Sequence, residues 1–580
     1  MKHGADLAHV CVQRLSNARG HRHGPHRPYI LDTLQPRMLD YGPRRSTLQS
    51  TQPGGKGLTS VNMQETQPSR AQAHRPDPQE IEALLLEHPD VKEALVLAPG
   101  AGHGSEPLEA YVVADLSTLK RRNAQDPRLS DAGLIHRWNA LYEVTYTKGP
   151  AEPSFVGWTS SYTRQPISET HMDEWLQGTL QRIRTLKPQR LLEIGCGVGL
   201  LLQHLAPQCS AYVGTDFSAT ALGRLREWLG HRADLGHVEL LHRPATELQD
   251  LQPGYFDTVV LNSVVQYFPN IEYLLTVLGG VRRLLLPGGR IFIGDARNLQ
   301  LLPTFHSAVQ LSRAPDSLTA SQLKRRVARA IAQETELALD PRLFQTLSAE
   351  FPEITAVDVQ LRRGAAQNEL SRYRYDVVLY TGEQYSAHAT RQPITWQTEV
   401  GFSPPLEQAL RARQYPALHL TGIRNGRLAR DEAARLLIHT GDEHAKSPDL
   451  RRKLDALEID AVDPEMLWQL GASNGYVVAM TWDSHEPATH FEARFLDQTL
   501  ADQAPLPMSR PPESPRRWSD PGPWSEYSND PLENSIAQRL IPDLREHLRR
   551  KLPDELIPPS WTVLKHLPRK PNGEVDRQAL

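Results

Sequence analysis

Apolar residues between positions 190 and 294 recur as short strands separated by amphipathic helices. Five segments have the length and the apolar content of buried strands: Arg190–Ile194, Ala211–Thr215, Val238–Leu241, Phe256–Leu261 and Arg290–Gly294. Strand–helix repetition of this kind predicts a parallel sheet covered by helices on both faces. Two later strands, in "ITAVDVQLRRG" and "YRYDVVLYTG", have little helix between them and predict an antiparallel pair at the end of that sheet. The predicted fold class is therefore α/β.

Shorter patterned segments flank this α/β region. The stretch "PQEIEALLLEHPDVKEALVLA" predicts a helix with Ile81, Leu84 and Leu85 on one face, followed by a strand, and "LEAYVVADL" predicts a second strand. Near the C-terminus, "SIAQRLIPDLREHLRRKLP" predicts a strong helix, and "WTVLKHL" follows it. Because each piece is too short to bury its apolar face alone, we expect the two pieces to pack against each other.

These patterns divide the chain into six segments. Residues 1–75 are rich in His, Arg, Pro, Gln and Gly without sustained periodicity, so we expect disorder or translated sequence upstream of the true start. A packed but irregular extension is the alternative. The other segments are a first flanking piece at 76–116, the α/β domain at 130–382, an accompanying α/β region at 383–505, a Pro/Ser-rich linker at 506–532 and a second flanking piece at 533–580.

Composition narrows the class of protein. The chain has 580 residues and a formal net charge of -3, which gives no reason to expect a nucleic-acid or anionic-membrane partner. Its cysteines, Cys11, Cys196 and Cys209, have no paired spacing, and the histidines around His21, His23 and His26 have no metal-ligand spacing. No apolar run is long enough to span a bilayer, and the N-terminus lacks a signal-peptide core. We expect a soluble, cytoplasmic protein without a metal.

The first predicted strand ends in a glycine-rich turn with Gly195, Gly197 and Gly199 at alternate positions. Glycine permits a tight turn and lets a ligand approach backbone N–H groups. The spacing departs from the G-x-G-x-x-G of dinucleotide-binding folds, so a compact nucleoside with an amino-acid tail fits as well as a pyrophosphate. Asp216 follows the second strand, about 20 residues beyond the first glycine, where a carboxylate can accept hydrogen bonds from ribose hydroxyls. A charge at the start of the next helix is the alternative role for Asp216.

Several motifs resemble a known enzyme family. "LLEIGCGVGLLL" followed by "YVGTDFS" resembles the class I S-adenosylmethionine-dependent methyltransferases, which have a Rossmann-like sheet. "FVGWTSSYTRQPI", "FDTVVLNSVVQYFPNIEYLL", "PGGRIFIGDARNLQLLPTFHSAVQL" and "NELSRYRYDVVLY" resemble the methyltransferase domains of nonribosomal peptide synthetases, from about Trp138 to Tyr380. The resemblance implies S-adenosyl-L-methionine as cofactor and N-methylation of an aminoacyl thioester on a carrier protein, with other synthetase modules as partners. C- or O-methylation of a pathway intermediate and a non-catalytic interaction module are the alternatives.

The resemblance and the positions at strand ends together select candidate site residues. Side chains at the carboxyl ends of parallel strands face the ligand crevice. The candidates for cofactor binding are Glu193, Gly195, Gly197, Gly199, Asp216, Phe217, Thr246 and Asn262, with Thr246 where related domains often carry an aspartate near the adenine. Asn262 and Tyr267 are the catalytic candidates, and the substrate-side candidates are Trp158, Tyr162, Gln266, Asp295, Asn368 and Glu369. The structural alternatives are helix capping after the fourth strand, surface turns for Asp295, Asn368 and Glu369, and core packing for the two aromatic residues.

The flanking pieces resemble the first and last parts of the small C-terminal subdomain of synthetase adenylation domains, within which a methyltransferase is commonly inserted. The large adenylation core and a carrier domain have no counterpart in the sequence. The closing motif of that family reads N-G-K, whereas this chain has Asn572, Gly573 and Glu574. A carboxylate repels the negative charge that the lysine would stabilise, so we expect no adenylation activity.

Overall fold

The computed structural model describes residues 77–97, 108–122, 126–148, 152–382, 394–395, 405–483, 488–501, 524–570 and 572–577. The predictions for residues 1–75, including the histidine-rich stretch, lie outside the described residues, as does most of the predicted linker. None of the helices in the described part combines the length and the apolar character needed to cross a membrane.

Strands and helices alternate through most of the described chain. The strands are β1 (Val91–Leu97), β2 (Glu109–Ala114), β3 (Arg190–Ile194), β4 (Ala211–Asp216), β5 (Val238–His242), β6 (Phe256–Asn262), β7 (Leu285–Asn298), β8 (Ala338–Leu339), β9 (Ile354–Leu361), β10 (Arg374–Thr381), β11 (Ile394–Thr395), β12 (Ala417–Arg424), β13 (Tyr476–Trp482), β14 (His490–Asp497) and β15 (Ser560–Leu564). The α-helices are α1 (Pro78–Leu86), α2 (Leu116–Arg122), α3 (Asp131–Lys148), α4 (Glu169–Thr185), α5 (Leu202–Leu205), α6 (Ala219–Leu229), α7 (Ile271–Leu284), α8 (Leu302–Arg313), α9 (Ala320–Ala332), α10 (Arg342–Thr346), α11 (Glu369–Tyr373), α12 (Pro405–Arg411), α13 (Gly426–Thr440), α14 (Ser447–Asp455), α15 (Pro464–Ser473), α16 (Gln498–Ala501) and α17 (Pro531–Arg549).

The central sheet has the strand order β5-β4-β3-β6-β7-β10-β9. Its strands pair in parallel from β5 to β7, and β10 is antiparallel to both β7 and β9. The predicted α/β class and the terminal antiparallel pair are confirmed. Strand β7 is longer than the predicted Arg290–Gly294 because its last residues pair with β8 and with the start of β10.

Two apolar layers cover this sheet. Helix α4 contributes Met172, Leu176 and Leu180 to one layer, and α7 contributes Leu274 and Leu278 to the other. Because the order of strands reverses at β3, a crevice opens at the carboxyl ends of β3 and β6. The candidate site residues follow these strand ends.

The two flanking pieces share one small sheet. Strand β2 of the first piece pairs antiparallel with β1 and parallel with β15 of the second piece. Ile81 and Leu85 of α1 are fully buried in one apolar cluster with Leu540 and Leu544 of α17 and with Trp561 of β15. Each piece therefore supplies the apolar partner that the other lacks.

The accompanying region has its own antiparallel strands, in the order β12-β14-β13, and β11 pairs in parallel with β12. It is joined to the central domain by Arg427, whose guanidinium is 1% exposed. This side chain donates hydrogen bonds to the carbonyl oxygens of Arg362 (2.7 Å) and Gly364 (2.6 Å), just after β9. A buried cation thus ties the accompanying region to the edge of the main sheet.

The predicted linker boundary at residue 532 is wrong, because the chain is folded against the central domain from Trp524 onwards. Trp524 is buried in the apolar layer that contains α7. The Asp340 N–H donates to the Tyr527 carbonyl (2.8 Å), and Ser528 forms a bridge with Leu339. Sparse apolar residues in a Pro/Ser-rich composition concealed this contact in the sequence.

We predict that Leu544→Ala destabilises the chain through the small sheet. Leu544 is 0% exposed in the cluster shared by the two pieces, so the substitution removes buried methyl groups and leaves a cavity. The free energy of unfolding should fall by about 2–5 kcal/mol, measured by urea denaturation. Leu436→Ala, at a leucine that is 41% exposed, is the control. Equal stability of the two variants would contradict the shared core.

Candidate functional site

The glycine turn wraps around the end of β4. Both Gly195 N–H and Cys196 N–H donate to the Thr215 carbonyl, at 2.7 and 2.9 Å. The φ angles of Gly195, Gly197 and Gly199 are 76°, 51° and 84°, in the left-handed region that favours glycine. The backbone conformation of the turn therefore favours glycine at all three positions.

The three glycines differ in what their missing side chains leave free. A Cβ at Gly195 would lie 2.4 Å from Val264 Cγ2, and one at Gly199 would lie 2.6 Å from Leu225 Cδ1. These two positions therefore accommodate the protein's own packing. A Cβ at Gly197 would instead lie 3.2 Å from the hydroxyl oxygen of Tyr146. Gly197 is thus the glycine that lies beneath the side chains covering the crevice.

Asp216 fastens the glycine turn to the next helix. Its Oδ2 accepts from the Gly197 N–H (2.8 Å) and its Oδ1 accepts from the Ser218 N–H (2.8 Å). Ser218 itself caps α6 by accepting from the Ala221 N–H. The capping role considered for Asp216 therefore belongs to Ser218. Burial raises the pKa of Asp216 to about 6, although its two N–H donors oppose the shift.

Glu193 lies behind the glycine turn. Its side chain is 3% exposed, and its Oε2 accepts a hydrogen bond of 2.5 Å from the Tyr212 hydroxyl inside the α4-side layer. Burial raises the pKa of Glu193 to about 8. The structure therefore places this predicted cofactor residue among core side chains next to β4.

An aromatic face of α3 covers the crevice, and the sequence analysis missed it. Tyr142 donates a hydrogen bond to the hydroxyl of Tyr267 and packs edge-on against Phe217, with ring centroids 6.3 Å apart. Trp138 packs against Tyr267 at 4.8 Å, and Tyr146 lies over Gly197. The spacing of Trp138, Tyr142 and Tyr146 at every fourth residue is the helical signal that could have found them.

Two buried amide side chains, one at the end of β6 and one just after it, have acceptor oxygens without a donor in the described part of the chain. Asn262 and Gln266 are 9% and 1% exposed. Within the described residues, Asn262 Oδ1 and Gln266 Oε1 have no hydrogen-bond partner. Ser263 stands between them with a φ of 56°, so the strand turns sharply where these amides begin. Buried acceptors of this kind usually have a donor, so a ligand is one source of it.

Asp295 lies at the predicted strand end but does not line the substrate mouth. It is 0% exposed and accepts from Ser263 Oγ (2.9 Å), Trp175 Nε1 (3.2 Å) and Arg374 Nη1 (2.5 Å). Its own φ is 62°, and its N–H donates to Asp376. Asp295 therefore fixes the shape of the strand ends, because its charge is satisfied by neighbouring side chains.

The segment around Trp158 and Tyr162 packs against α4 and α11. Glu369 accepts from the Ser161 N–H (2.5 Å), and the Tyr162 hydroxyl lies 3.1 Å from that of Tyr373. Trp158 packs against a tryptophan of α4 at 4.8 Å between ring centroids. Asn368 is instead the N-cap of α11, with its Oδ1 accepting from two backbone N–H groups.

Thr246 lies in the turn that follows β5, and Phe217 follows Asp216. The Phe217 carbonyl oxygen is 2.9 Å from His242 Nε2. Thr246, Phe217 and Asp216 thus occupy the ends of β4 and β5, on the same edge of the sheet as the glycine turn. This is the side of the crevice on which the resemblance places the nucleoside.

Part of the chain matches a known family of protein domains. Residues 192–291 match a family described as a methyltransferase domain. The chain is 36% identical over 518 residues to chondramide synthase cmdD of Chondromyces crocatus, covering 87% of this chain and 13% of that protein. It is 28% identical to the beauvericin nonribosomal cyclodepsipeptide synthetase of Beauveria bassiana, covering 88% of this chain and 17% of the synthetase. The chain thus spans less than a fifth of these relatives.

Among solved structures, the N-methyltransferase NodS from Bradyrhizobium japonicum, in complex with S-adenosyl-L-homocysteine, matches 36% of this chain and 88% of its own. The sequence identity is 17% and the TM-score is 0.26.

We predict that Gly197→Val abolishes binding of S-adenosylmethionine. The added side chain would enter the space under Tyr146 and strain a φ of 51°. Gly254→Val is the matched control, because Gly254 has a φ of 60° but nothing within 4 Å of its Cβ position. Calorimetry should detect cofactor binding by the control and none by Gly197→Val. Equal affinities would remove Gly197 from the site.

We predict that the affinity for S-adenosylmethionine depends on the charge of Asp216. An ionised carboxylate can accept hydrogen bonds from ribose hydroxyls, and burial raises the pKa of Asp216 to about 6. Binding should therefore be strongest above that pH and weaken by about tenfold per pH unit below it. Titrations between pH 5 and 7 measure this slope. Asp216→Asn should bind weakly with no slope, and a slope that persisted in this variant would assign the titration to another group.

Proposed function

The chain carries a methyltransferase domain of the kind found in nonribosomal peptide synthetases, and we propose that it N-methylates an aminoacyl group held as a thioester on a carrier protein. The methyl donor is S-adenosyl-L-methionine, which supplies an electrophilic methyl group on a sulfonium. The observation that carries the proposal is the pair of buried amide oxygens without partners, on Asn262 and Gln266, at the mouth of a glycine-lined crevice.

The residues of the crevice fit this cofactor in three places. Asp216 presents a carboxylate for ribose hydroxyls, and Phe217 offers an apolar surface beside it. Gly197 carries no side chain beside the crevice, and among the residues that the structure describes its Cβ position is contacted within 4 Å by Tyr146 alone. Asn262 follows the adjacent strand and offers an unpartnered oxygen to an ammonium group such as that of the methionine part. A carboxylate, an apolar ring, a backbone without a side chain and an acceptor oxygen are all features that suit a nucleoside bearing an amino acid.

The chemistry of the acceptors favours a nitrogen substrate. Amide carbonyl oxygens accept hydrogen bonds but donate none, so Asn262 Oδ1 and Gln266 Oε1 suit a group that brings its own N–H donors. A primary amine has hydrogens to give to such acceptors while its lone pair points at the methyl carbon. A carbanion or a deprotonated hydroxyl has none to give. These oxygens therefore support N-methylation over C- or O-methylation.

The protein's contribution to the reaction is alignment in a crevice closed to water. Displacement at a sulfonium needs the nucleophile in line with the breaking bond, and holding both reactants together supplies much of the rate. Tyr142 and Tyr267 are joined by a hydrogen bond between their hydroxyls, next to the turn that carries Gln266. Burial, together with neighbouring phenols, raises the pKa of Tyr142 well above 10, so its hydroxyl remains a neutral hydrogen-bonding group. We assign Tyr267 the role of orienting the amine.

A carrier-bound substrate is supported by the relatives, which are synthetases, and the partners we propose are a carrier protein and other synthetase modules. We also propose a cytoplasmic location, because Cys196 and Cys209 are buried free thiols, as is usual in a reducing compartment.

The small split sheet resembles an adenylation subdomain, and we propose that it takes no part in adenylation. Glu574 stands where that family has its lysine, and its Oε2 accepts from the Asn572 side-chain amide (3.0 Å) within an exposed turn. A carboxylate held there would oppose the charge that develops on an acyl phosphate.

We predict methyl transfer to the amino group of a carrier-bound amino acid. The protein is mixed with labelled S-adenosylmethionine and carrier proteins loaded with different amino acids, and label should appear on the amine of the released product. Asn262→Ala should lower the rate by about 10- to 100-fold, since it removes a buried acceptor worth about 1–3 kcal/mol.

The alternatives have distinct outcomes in the same assay. Label on carbon or oxygen would identify a C- or O-methyltransferase, and methylation of the free amino acid alone would exclude the carrier-bound substrate. Cofactor binding without any transfer would indicate an interaction module. Amino-acid-dependent pyrophosphate exchange with ATP would contradict the proposed lack of adenylation.

A further inference from the structure

A pair of carboxylates in the segment between α9 and β8 lies beside the crevice. Glu334 and Glu336 both bond to Arg297 of β7, with Arg297 Nη2 to Glu334 Oε2 at 2.9 Å and Arg297 Nη1 to Glu336 Oε2 at 3.0 Å. Although burial opposes its charge, these two carboxylates raise the pKa of Arg297. Arg297 therefore pairs with both carboxylates in one largely buried ion cluster.

The two carboxylates differ in what else they contact. Glu334 is 9% exposed, and its oxygens also meet His306 Nε2 at 3.1 Å and the N–H groups of Thr335 and Glu336. The side chain of Glu336 is 28% exposed. In the part of the chain that the structure describes, its Oε1 accepts no hydrogen bond. Glu336 thus has one oxygen fixed by Arg297 and one oxygen available.

The backbone of this segment is hydrogen-bonded to the turn after β6 that carries Gln266 and Tyr267. The N–H of Leu337, the next residue, donates to the carbonyl oxygen of Gln266 at 2.8 Å. Burial, together with the charge of Glu336, raises the pKa of Tyr267 to about 12, and Glu336 makes a smaller contribution at Tyr142, whose pKa is raised chiefly by burial. The hydrogen bond of Leu337 therefore places the Glu336 segment next to the turn that carries Gln266 and Tyr267.

A residue from outside the methyltransferase domain holds Glu336 in this place. The Asn529 side chain donates from Nδ2 to the Glu336 carbonyl (2.8 Å) and accepts at Oδ1 from the Ala338 N–H (2.7 Å). Asn534 of α17 donates to the Glu334 carbonyl (3.0 Å). Asn529 precedes α17, and Asn534 belongs to it. Helix α17 packs against the small split sheet.

We propose that Glu336 binds the amino group of the substrate through its available oxygen, and that Asn529 is the positioning residue that presents it. A carboxylate is the group that prefers an amine or ammonium to a hydroxyl, because it accepts N–H bonds and attracts positive charge. Arg297 bonds to its other oxygen and so fixes the carboxylate that orients the amine. The inference rests on the proposed function and names the substrate feature that the site reads.

The test compares two ligands that differ only at the group to be recognised. The first ligand is the N-acetylcysteamine thioester of the amino acid that the methyl-transfer assay identifies as the acceptor, and the second is the thioester of its α-hydroxy analogue. Both are titrated into the full chain with saturating S-adenosylhomocysteine, so that no turnover occurs. If that assay detects no methyl acceptor, the alanyl and lactyl thioesters are used instead. The wild type should bind the aminoacyl thioester about 10- to 100-fold more tightly, the range expected for hydrogen bonds to a charged group.

Glu336→Gln should reduce this preference to less than threefold while leaving the affinity for S-adenosylhomocysteine unchanged. Glu353→Gln is the control, because Glu353 pairs with Arg282 on the surface beside the start of β7, away from the strand ends that carry the site. It should retain the wild-type preference. Thermal unfolding of each variant separates loss of recognition from loss of folding.

Asn529→Ala should lower the preference in the same direction without changing cofactor affinity. In combination with Glu336→Gln it should cause no further loss, because Asn529 acts only through Glu336. Asn572→Ala, in the exposed turn near the end of the second flanking piece, is the matched control.

Equal binding of the two thioesters by the wild type, including no measurable binding of either, would overturn the proposal. So would a preference that survives Glu336→Gln. An amine preference that depends on Glu336, in a protein that transfers no methyl group, would uphold this inference while refuting the proposed function.

Discussion

The carboxylate of Asp216 is the point on which the crevice depends. It bonds simultaneously to the N–H of Gly197 in the glycine turn and to the N–H of Ser218 at the start of α6. The turn cannot move relative to the helix without breaking one of these bonds in a buried place, where an unpaired N–H costs about 1–3 kcal/mol. The position of Gly197 in turn sets where Tyr146 can lie. The position of the aromatic cover over the crevice therefore depends on the Asp216 side chain.

The sequence predicted the sheet well because its signals are local. Each strand is a short apolar run bounded by turn residues, and the antiparallel pair of β9 and β10 lacks room for a crossover helix. The glycine turn and Asp216 could also be found, since both occur at strand ends. The side chains that pack against Gly195 and Gly199 could not be predicted, because Val264 and Leu225 reach these glycines only in the folded chain. Neighbours distant in sequence leave no local pattern.

The site residues that the sequence did not predict correctly also depend on contacts between distant parts of the chain. Asp295 was predicted at the mouth, yet Arg374 and Trp175 come from other elements to surround it. Glu336 carries no motif, and its place beside Tyr267 results from the hydrogen bond between its neighbour Leu337 and Gln266. The aromatic face of α3 was detectable by its spacing but was hidden by the polar residues between. Sites assembled from tertiary contacts are therefore predicted only in part from one sequence.

The parallel pairing of β2 with β15 has a consequence for the order in which the chain folds. The two strands are hydrogen-bonded neighbours, yet the entire methyltransferase domain and its accompanying region lie between them in the sequence. On the ribosome, the first piece emerges with one face of its sheet uncovered and must wait until α17 and β15 have been made. Contacts of such long sequence separation form late. Completion of the small sheet therefore reports that the whole insert has been synthesised.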